Sequence, residues 1–299
     1  MRIFAVSDIH ADYQENLRWV EALSDSDYVR DVLVLAGDVS HDRGLFSRVL
    51  EALRRKFRRV FFVPGNHELW LRSNEPGDSL RKYHDVLDRC RRLGVDTGPA
   101  CMHDGNGGGG VWNVPLCSWY VKPEEDAAES LFVPKQGEDP GLRMWVDDRA
   151  VRWPVFDGSR TPAAYFLACN QTPPSAALRA GPVVSFSHFV PRTDLLFPSA
   201  AELRALGIPL RDPQPRFNFS RVAGCRGLER HIRALGSTVH VYGHQHRNRL
   251  RRIEGVTYVS HCLGYPRERA EGRISPALRE PLLIRDMEAA PAASGQRIL

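Results

Sequence analysis

Three short runs near the start constrain the fold more than any other feature of the chain. Ile3–Val6, Val32–Ala36 and Val60–Val63 are wholly apolar. Each stops at polar residues: Ser7-Asp8-Ile9-His10, Gly37-Asp38, and Pro64-Gly65-Asn66-His67-Glu68. Runs this short and continuous fit strands covered on both faces. Segments of helical period lie between them: Asn16–Leu23, with Leu17, Val20 and Leu23 on one face, and the basic amphipathic stretch Leu45–Phe57. Asp8 and Asp38 are 30 residues apart, and Asp38 and Asn66 are 28 apart. Either interval suits one strand–helix–strand crossover, which returns the chain to the same edge of a parallel sheet. Ligands of such sheets bind at that edge, beyond the carboxyl ends of the strands.

The pattern continues after an interruption. Leu80–Leu93 reads as a helix, Gly105–Gly110 as a glycine-rich turn, and Trp112–Trp119 as a strand. From about 122 to 180 periodicity fades, and Pro, Asp and Glu increase. This stretch is expected to be an inserted, partly helical lid, locally acidic through Glu124, Glu125, Asp126 and Glu129. Strands resume at Val183–Ser187, ending in His188, and at Val239–Tyr242, ending in Gly243-His244-Gln245-His246, with a helix at Gly227–Leu235 between them. Arg249–Ile253 and Val256–Ser260 form a hairpin around Glu254-Gly255. The expectation is one domain over 1–287 and a disordered Ala/Pro/Ser/Gly tail over 288–299.

Five clusters therefore stand at strand ends: Asp8-x-His10, Gly37-Asp38, Gly65-Asn66-His67-Glu68, His188 and Gly243-His244-x-His246. Carboxylate, imidazole and amide oxygen together suit divalent first-row metals. No cysteine sits among them, unlike a structural zinc site. The glycines before Asp38, Asn66 and His244 are expected to let the chain turn sharply after each strand. An acid such as Asp12, Asp42 or Glu68 could orient a histidine, and the sequence does not choose among them.

These clusters, in this order, resemble the calcineurin-like metallophosphoesterase superfamily, whose pattern is D-x-H, G-D, G-N-H-[ED], H, G-H-x-H. The match covers about 1–117 and 181–265. The resemblance implies a four-layer α/β/β/α sandwich with the insertion as a lid. It also implies two divalent or mixed-valence transition-metal ions (Mn, Fe or Zn). By the same resemblance, one ion takes Asp8, His10, Asp38 and His246. The other takes Asp38, Asn66, His188 and His244, with Asp38 bridging. His67 is then not a ligand but the general acid or transition-state donor, oriented by a carboxylate. The implied reaction is hydrolysis of a phosphate mono- or diester of a small molecule or nucleotide by metal-activated water. His41 stands where purple acid phosphatases carry Tyr, so the purple subtype is not expected. Asp42-Arg43-Gly44 is displaced by one residue from the protein Ser/Thr phosphatase pattern. His41, Arg43, His261 and Tyr265 are the candidate substrate contacts.

Composition narrows the alternatives. The net charge is +5, from 41 Lys and Arg against 36 acids, and four of the 41 are lysine. A nucleic-acid binder gathers such charge on one face. Here the arginines spread along Leu45–Arg59 and Leu80–Arg92, away from the apolar stripes. A nuclease and a catalytically silent binding scaffold remain as alternatives. The six cysteines lack CxxC spacing and read as free thiols. No membrane-length apolar run and no signal segment is seen, so the expected location is cytoplasmic. Ser185 and Ser187 lack a nucleophile elbow, and His240 reads as a core residue. Trp112, Trp119, Trp145 and Trp153 read as core, with stacking on a base or sugar as the alternative.

Overall fold

Alternate side chains of the first strands go to opposite faces, and both faces are covered. The computed structural model describes residues 1–103, 109–156, 161–178, 181–198, 214–274 and 280–288. Strands β1 (Arg2–Val6), β2 (Val32–Leu35) and β3 (Arg59–Phe62) are parallel, with Ile3 beside Val32 and Val32 beside Arg59. Phe4, Val6, Leu33, Leu35, Val60 and Phe62 meet helices α1 (Gln14–Ala22), α2 (Arg43–Lys56) and α3 (Ser79–Arg92). Ile3, Ala5, Val32, Val34 and Phe61 face the other way, into a second sheet.

That sheet contains β5 (Val111–Pro115), β6 (Val183–Phe186), β7 (Ser237–Tyr242) and β9 (Val256–Ser260), all parallel. It is edged by antiparallel β4 (Ala100–Met102) and β8 (Arg249–Ile253). Val184, Phe186, Val239, Val241 and Val259 meet the first sheet. Its outer face packs on Leu228 and Ile232 of the helix Arg226–Ala234, and on Trp119, Tyr120, Leu131 and Phe166. Three apolar interfaces thus separate four layers, as expected.

The strand order is β10-β1-β2-β3 in one sheet and β4-β5-β6-β7-β9-β8 in the other, where β10 is Leu282–Asp286. Strands β4 and β10 were not expected. Both are antiparallel edges, where one covered face suffices and no apolar run is required. A parallel bridge between Ser7 and Cys262 joins the ends of β1 and β9, so the carboxyl ends of both sheets meet.

Segment 122–180 includes short helices at Asp147–Ala150, Pro162–Cys169 and Ser175–Leu178. Trp119 packs on Trp153 and Phe189, each with ring centroids 5.0 Å away, and Trp112, Trp145 and Trp153 lie against the same core. The local acidity of this segment is matched in part. Arg221 pairs with Glu124 and Glu138, Arg230 with Glu129, and Lys122 with Asp148. Residues 104–108 of the glycine-rich turn lie outside the described residues, as do 289–299 of the tail. Glu288 is described, its N–H bonded to Asp286. No helix among the described residues is long and apolar enough to cross a membrane.

Candidate active site

The five polar clusters converge where the two sheets meet. Asp38 Oδ2 stands at the centre, 3.8 Å from His10 Nε2, 3.4 Å from His188 Nε2 and 3.8 Å from His67 Nε2. Asp8 Oδ1 is 3.4 Å from His246 Nε2. Asn66 Oδ1 is 3.1 Å from His188 Nε2. Three groups of ligand atoms, each within 4.8 Å, could hold a metal ion: Asp8/His10/His246, His10/Asp38/His67 and Asp38/His188/His244. His67 is thus close enough to join a ligand group, although the resemblance puts it on the substrate side.

Backbone geometry here is unusual. Asp8 (φ 51°), His10 (45°), Asp38 (56°), His244 (69°) and His246 (50°) are all left-handed. Such non-glycine residues cost about 1–3 kcal/mol each and collect at functional sites. The neighbouring glycines serve two ends. Gly37 is itself left-handed at φ 80°. Gly65 and Gly243 instead allow close approach: a Cβ on Gly65 would lie 2.1 Å from Asp38 Oδ1, and one on Gly243 2.7 Å from Asp8 Oδ2. For those two, the expected role in turning is replaced by one of making room.

The donor set fits cations, on the tautomers alone. His188 Nδ1 can only donate to the Ala36 carbonyl at 3.0 Å, and His244 Nε2 to the Val222 carbonyl at 2.9 Å. In the neutral rings His188 Nε2 and His244 Nδ1 then carry lone pairs, yet they face each other at 3.2 Å. Burial holds both rings below their ordinary pKa, hence neutral. Two lone pairs so placed call for a shared positive charge. The other pair, His10 Nε2 and His246 Nε2, is 2.9 Å apart. There burial opposes protonation, but Asp8 and Glu268 win and lift His246 to about 10. Burial, then the charges of Glu68 and Asp8, push Asp38 well above the usual carboxylate range. The centre concentrates negative charge that divalent ions relieve.

Three acids support this arrangement, and the sequence did not assign their tasks. Glu68 orients no histidine. It accepts four backbone N–H bonds, from Asp38, Val39, Ser40 and Gly65, and so locks the loops after β2 and β3 together. Glu268 fixes His246, taking its Nδ1–H at 2.6 Å and the Tyr265 N–H at 3.0 Å. Its one sequence signal was position, three residues after Tyr265 on the segment returning from β9. Asp147, in segment 122–180, accepts from Asn66 Nδ2 at 2.9 Å; its own surroundings gave no clue. Of the other acids named from sequence, Asp12 lies 3.1 Å from His41 Nδ1, and Asp42 caps α2.

His67 packs its ring on Trp70, with centroids 3.6 Å apart, and its Nε2 is 3.4 Å from the Tyr265 hydroxyl. No carboxylate hydrogen bond to its side chain occurs among the described contacts. The His67 ring rests on Trp70, and Asp38 Oδ1 accepts the His67 backbone N–H at 3.0 Å. Tyr265 lines the site, its ring 4.6 Å from His10 and 4.7 Å from His246. His41 stands at the rim, 6.0 Å from Trp70. Arg43 turns away, its guanidinium 2.7 Å from Glu75 and 3.5 Å from Asp85. His261 Nε2 donates to the Glu280 carbonyl. Neither of the last two reaches the ligand cluster in the described contacts. His240 bonds to Ser185 and Ser187, but all three are wholly buried, so neither hydroxyl is placed to meet a substrate.

Comparison with known proteins agrees with this architecture. [Acyl-carrier-protein] phosphodiesterase PptH of Mycobacterium tuberculosis (strain ATCC 25618 / H37Rv) is 35% identical over 97 residues, 32% of this chain and 30% of that protein. The alignment thus spans under a third of that relative's length. The crystal structure of phosphopantetheinyl hydrolase (PptH) from Mycobacterium tuberculosis superposes with a TM-score of 0.68. It covers 97% of this chain and 98% of its own at 23% identity, which shows a shared fold. A profile for calcineurin-like phosphoesterases matches residues 1–248, and the chain belongs to that family.

Proposed function

We propose that this chain hydrolyses a phosphodiester within a phosphopantetheinylated acyl carrier protein, using two divalent ions. The family supports phosphoester hydrolysis, and the phosphodiesterase activity for which the Mycobacterium tuberculosis relative is named supports the diester and its substrate class. The observation that carries the reading is the convergence of Asp8, His10, Asn66, His188, His244 and His246 on Asp38, with His67 beside them. The ions are Mn, Fe or Zn by the mixed oxygen and nitrogen donors. When bound, such a pair polarises phosphoryl oxygens and lowers the pKa of water to near neutrality.

The chain's own groups do the rest. Asp38 is the shared carboxylate between the two ligand sets. His67 Nε2 lies 3.8 Å from Asp38 Oδ2, close enough to the shared carboxylate to protonate a departing ester oxygen held there. Burial and the neighbouring imidazoles hold His67 neutral in the bare site. A phosphate anion alongside works in the opposite direction and favours the imidazolium. Tyr265 and Trp70 fix the ring between them. Net, water adds to phosphorus, the ester P–O bond breaks, and the leaving oxygen takes the proton.

The test compares carrier protein, DNA, RNA, bis(p-nitrophenyl) phosphate and p-nitrophenyl phosphate with Mn, Fe and Zn. The expected result is turnover that needs metal, favours diesters, and falls about 10²–10⁴-fold in His67→Ala while Mn binding persists. Preference for the monoester overturns the diester reading. Preference for DNA or RNA supports the nuclease alternative, and no turnover of any ester supports a binding scaffold.

A further inference from the structure

An asparagine amide is nearly symmetric in shape, so only its hydrogen-bond partners decide which end faces a metal. Asn66 Nδ2 donates to Asp147 Oδ1 at 2.9 Å, which turns its Oδ1 toward His188. The same Asp147 oxygen accepts Trp70 Nε1–H at 2.5 Å. Trp70 in turn carries the His67 ring. Asp147 is 2% exposed, and the Tyr120 hydroxyl also lies against its carboxylate. Burying a carboxylate is costly and is tolerated for what its hydrogen bonds do. Its helix is tied down nearby: Leu71 N–H donates to the Ala150 carbonyl at 2.7 Å, and Ser79 N–H to the Arg152 carbonyl at 2.7 Å.

We infer that Asp147, supplied by segment 122–180, is a positioning residue that presents the Asn66 carbonyl to a metal ion and holds Trp70 behind His67. The inference rests on the reading of Asn66 as a ligand. One carboxylate oxygen thereby aligns a group on the metal side and a group on the substrate side. The segment that falls outside the strand-end motifs takes part in building the site they define.

The test is calorimetric titration of metal-stripped full-length protein with Mn²⁺. Asp147→Ala is expected to weaken one Mn²⁺ by about 10–100-fold and to leave the other within about threefold. Asp147→Asn keeps a carbonyl acceptor and is expected to restore most of the loss. In an Asn66→Ala background, Asp147→Ala is expected to add little, since the group it positions is gone. Melting in EDTA checks the fold, and Asp147→Leu, apolar and similar in volume, replaces the alanine variant if that one unfolds. If Asp147→Ala binds both ions like the parent while Asn66→Ala does not, the inference is overturned and the ligand reading stands. If Asn66→Ala also binds both ions like the parent, the ligand reading falls and takes the inference with it. Equal losses from Asp147→Ala in both backgrounds mean that it acts by another route, which also overturns the inference.

Discussion

Glu68→Gln separates a loop-locking carboxylate from an ordinary buried acid. Glu68 is 1% exposed. Its Oε1 accepts from Val39 N at 2.6 Å and Ser40 N at 3.1 Å, and its Oε2 from Asp38 N at 3.0 Å and Gly65 N at 2.8 Å. Glutamine keeps one oxygen. Whichever way the amide turns, its NH2 faces two backbone donors that have no other acceptor. Two buried donors left unmet cost about 1–3 kcal/mol each, or about 2–6 kcal/mol together. Removing the charge gives some of this back, because burial already lifts Glu68 and its charge lifts Asp38. A net loss of about 2 kcal/mol or more is expected, a large fraction of the about 5–15 kcal/mol that holds a domain folded. Urea unfolding in EDTA, followed by tryptophan fluorescence, reads it as a lower midpoint at unchanged slope. A Glu68→Gln protein within about 0.5 kcal/mol of the parent would falsify the claim that its four N–H bonds need an anion.

Two further outcomes follow from other buried contacts. Glu268→Ala frees His246 Nδ1, and Mn²⁺ affinity is expected to fall about 10–100-fold in titration; an unchanged affinity removes Glu268 from the site's support. His240 is pushed by burial down to about 3, against about 6.5 when unfolded. The unfolded chain therefore takes up this proton first, and its contribution to stability is whole above pH 6.5 and is lost as pH falls toward 3. Replacement by Asn should flatten the stability profile in that window by up to about 1.4 kcal/mol per pH unit; parallel profiles for parent and His240→Asn refute the assignment.

How much of this could be read in the sequence follows from which contacts are local. Strands β1, β2 and β3 were legible because cover on both faces leaves an unbroken apolar run. The candidate ligands were legible because each stands within a few residues of the end of such a run. Leu282–Asp286 escaped, since an edge strand ending in Arg285 and Asp286 carries no such pattern. Glu268 and His246 are 22 residues apart, and Asp147 and Asn66 are 81 apart. Nothing near either acid announces its partner. The acidity of segment 122–180 is likewise partly neutralised from far along the chain, by Arg221 and Arg230.

The centre is unfavourable when considered as folded protein alone. It combines five left-handed residues, four buried carboxylates (Asp8, Asp38, Glu68 and Asp147) and facing imidazole lone pairs. Each is a cost the rest of the fold must offset. The offsets are visible and specific: four N–H bonds to Glu68, carbonyls that fix His188 and His244, and Glu268 on His246. All of them set orientation, and apart from the proton on His246 none brings positive charge to the middle of the cluster. That missing charge is what a pair of bound metal ions would supply. A chain with net charge +5 therefore leaves its most anion-seeking surface to groups outside its own composition. Several of its arginines instead pin acids: Glu21 on α1, Glu75 on the loop before α3, and Glu129 and Glu138 on segment 122–180.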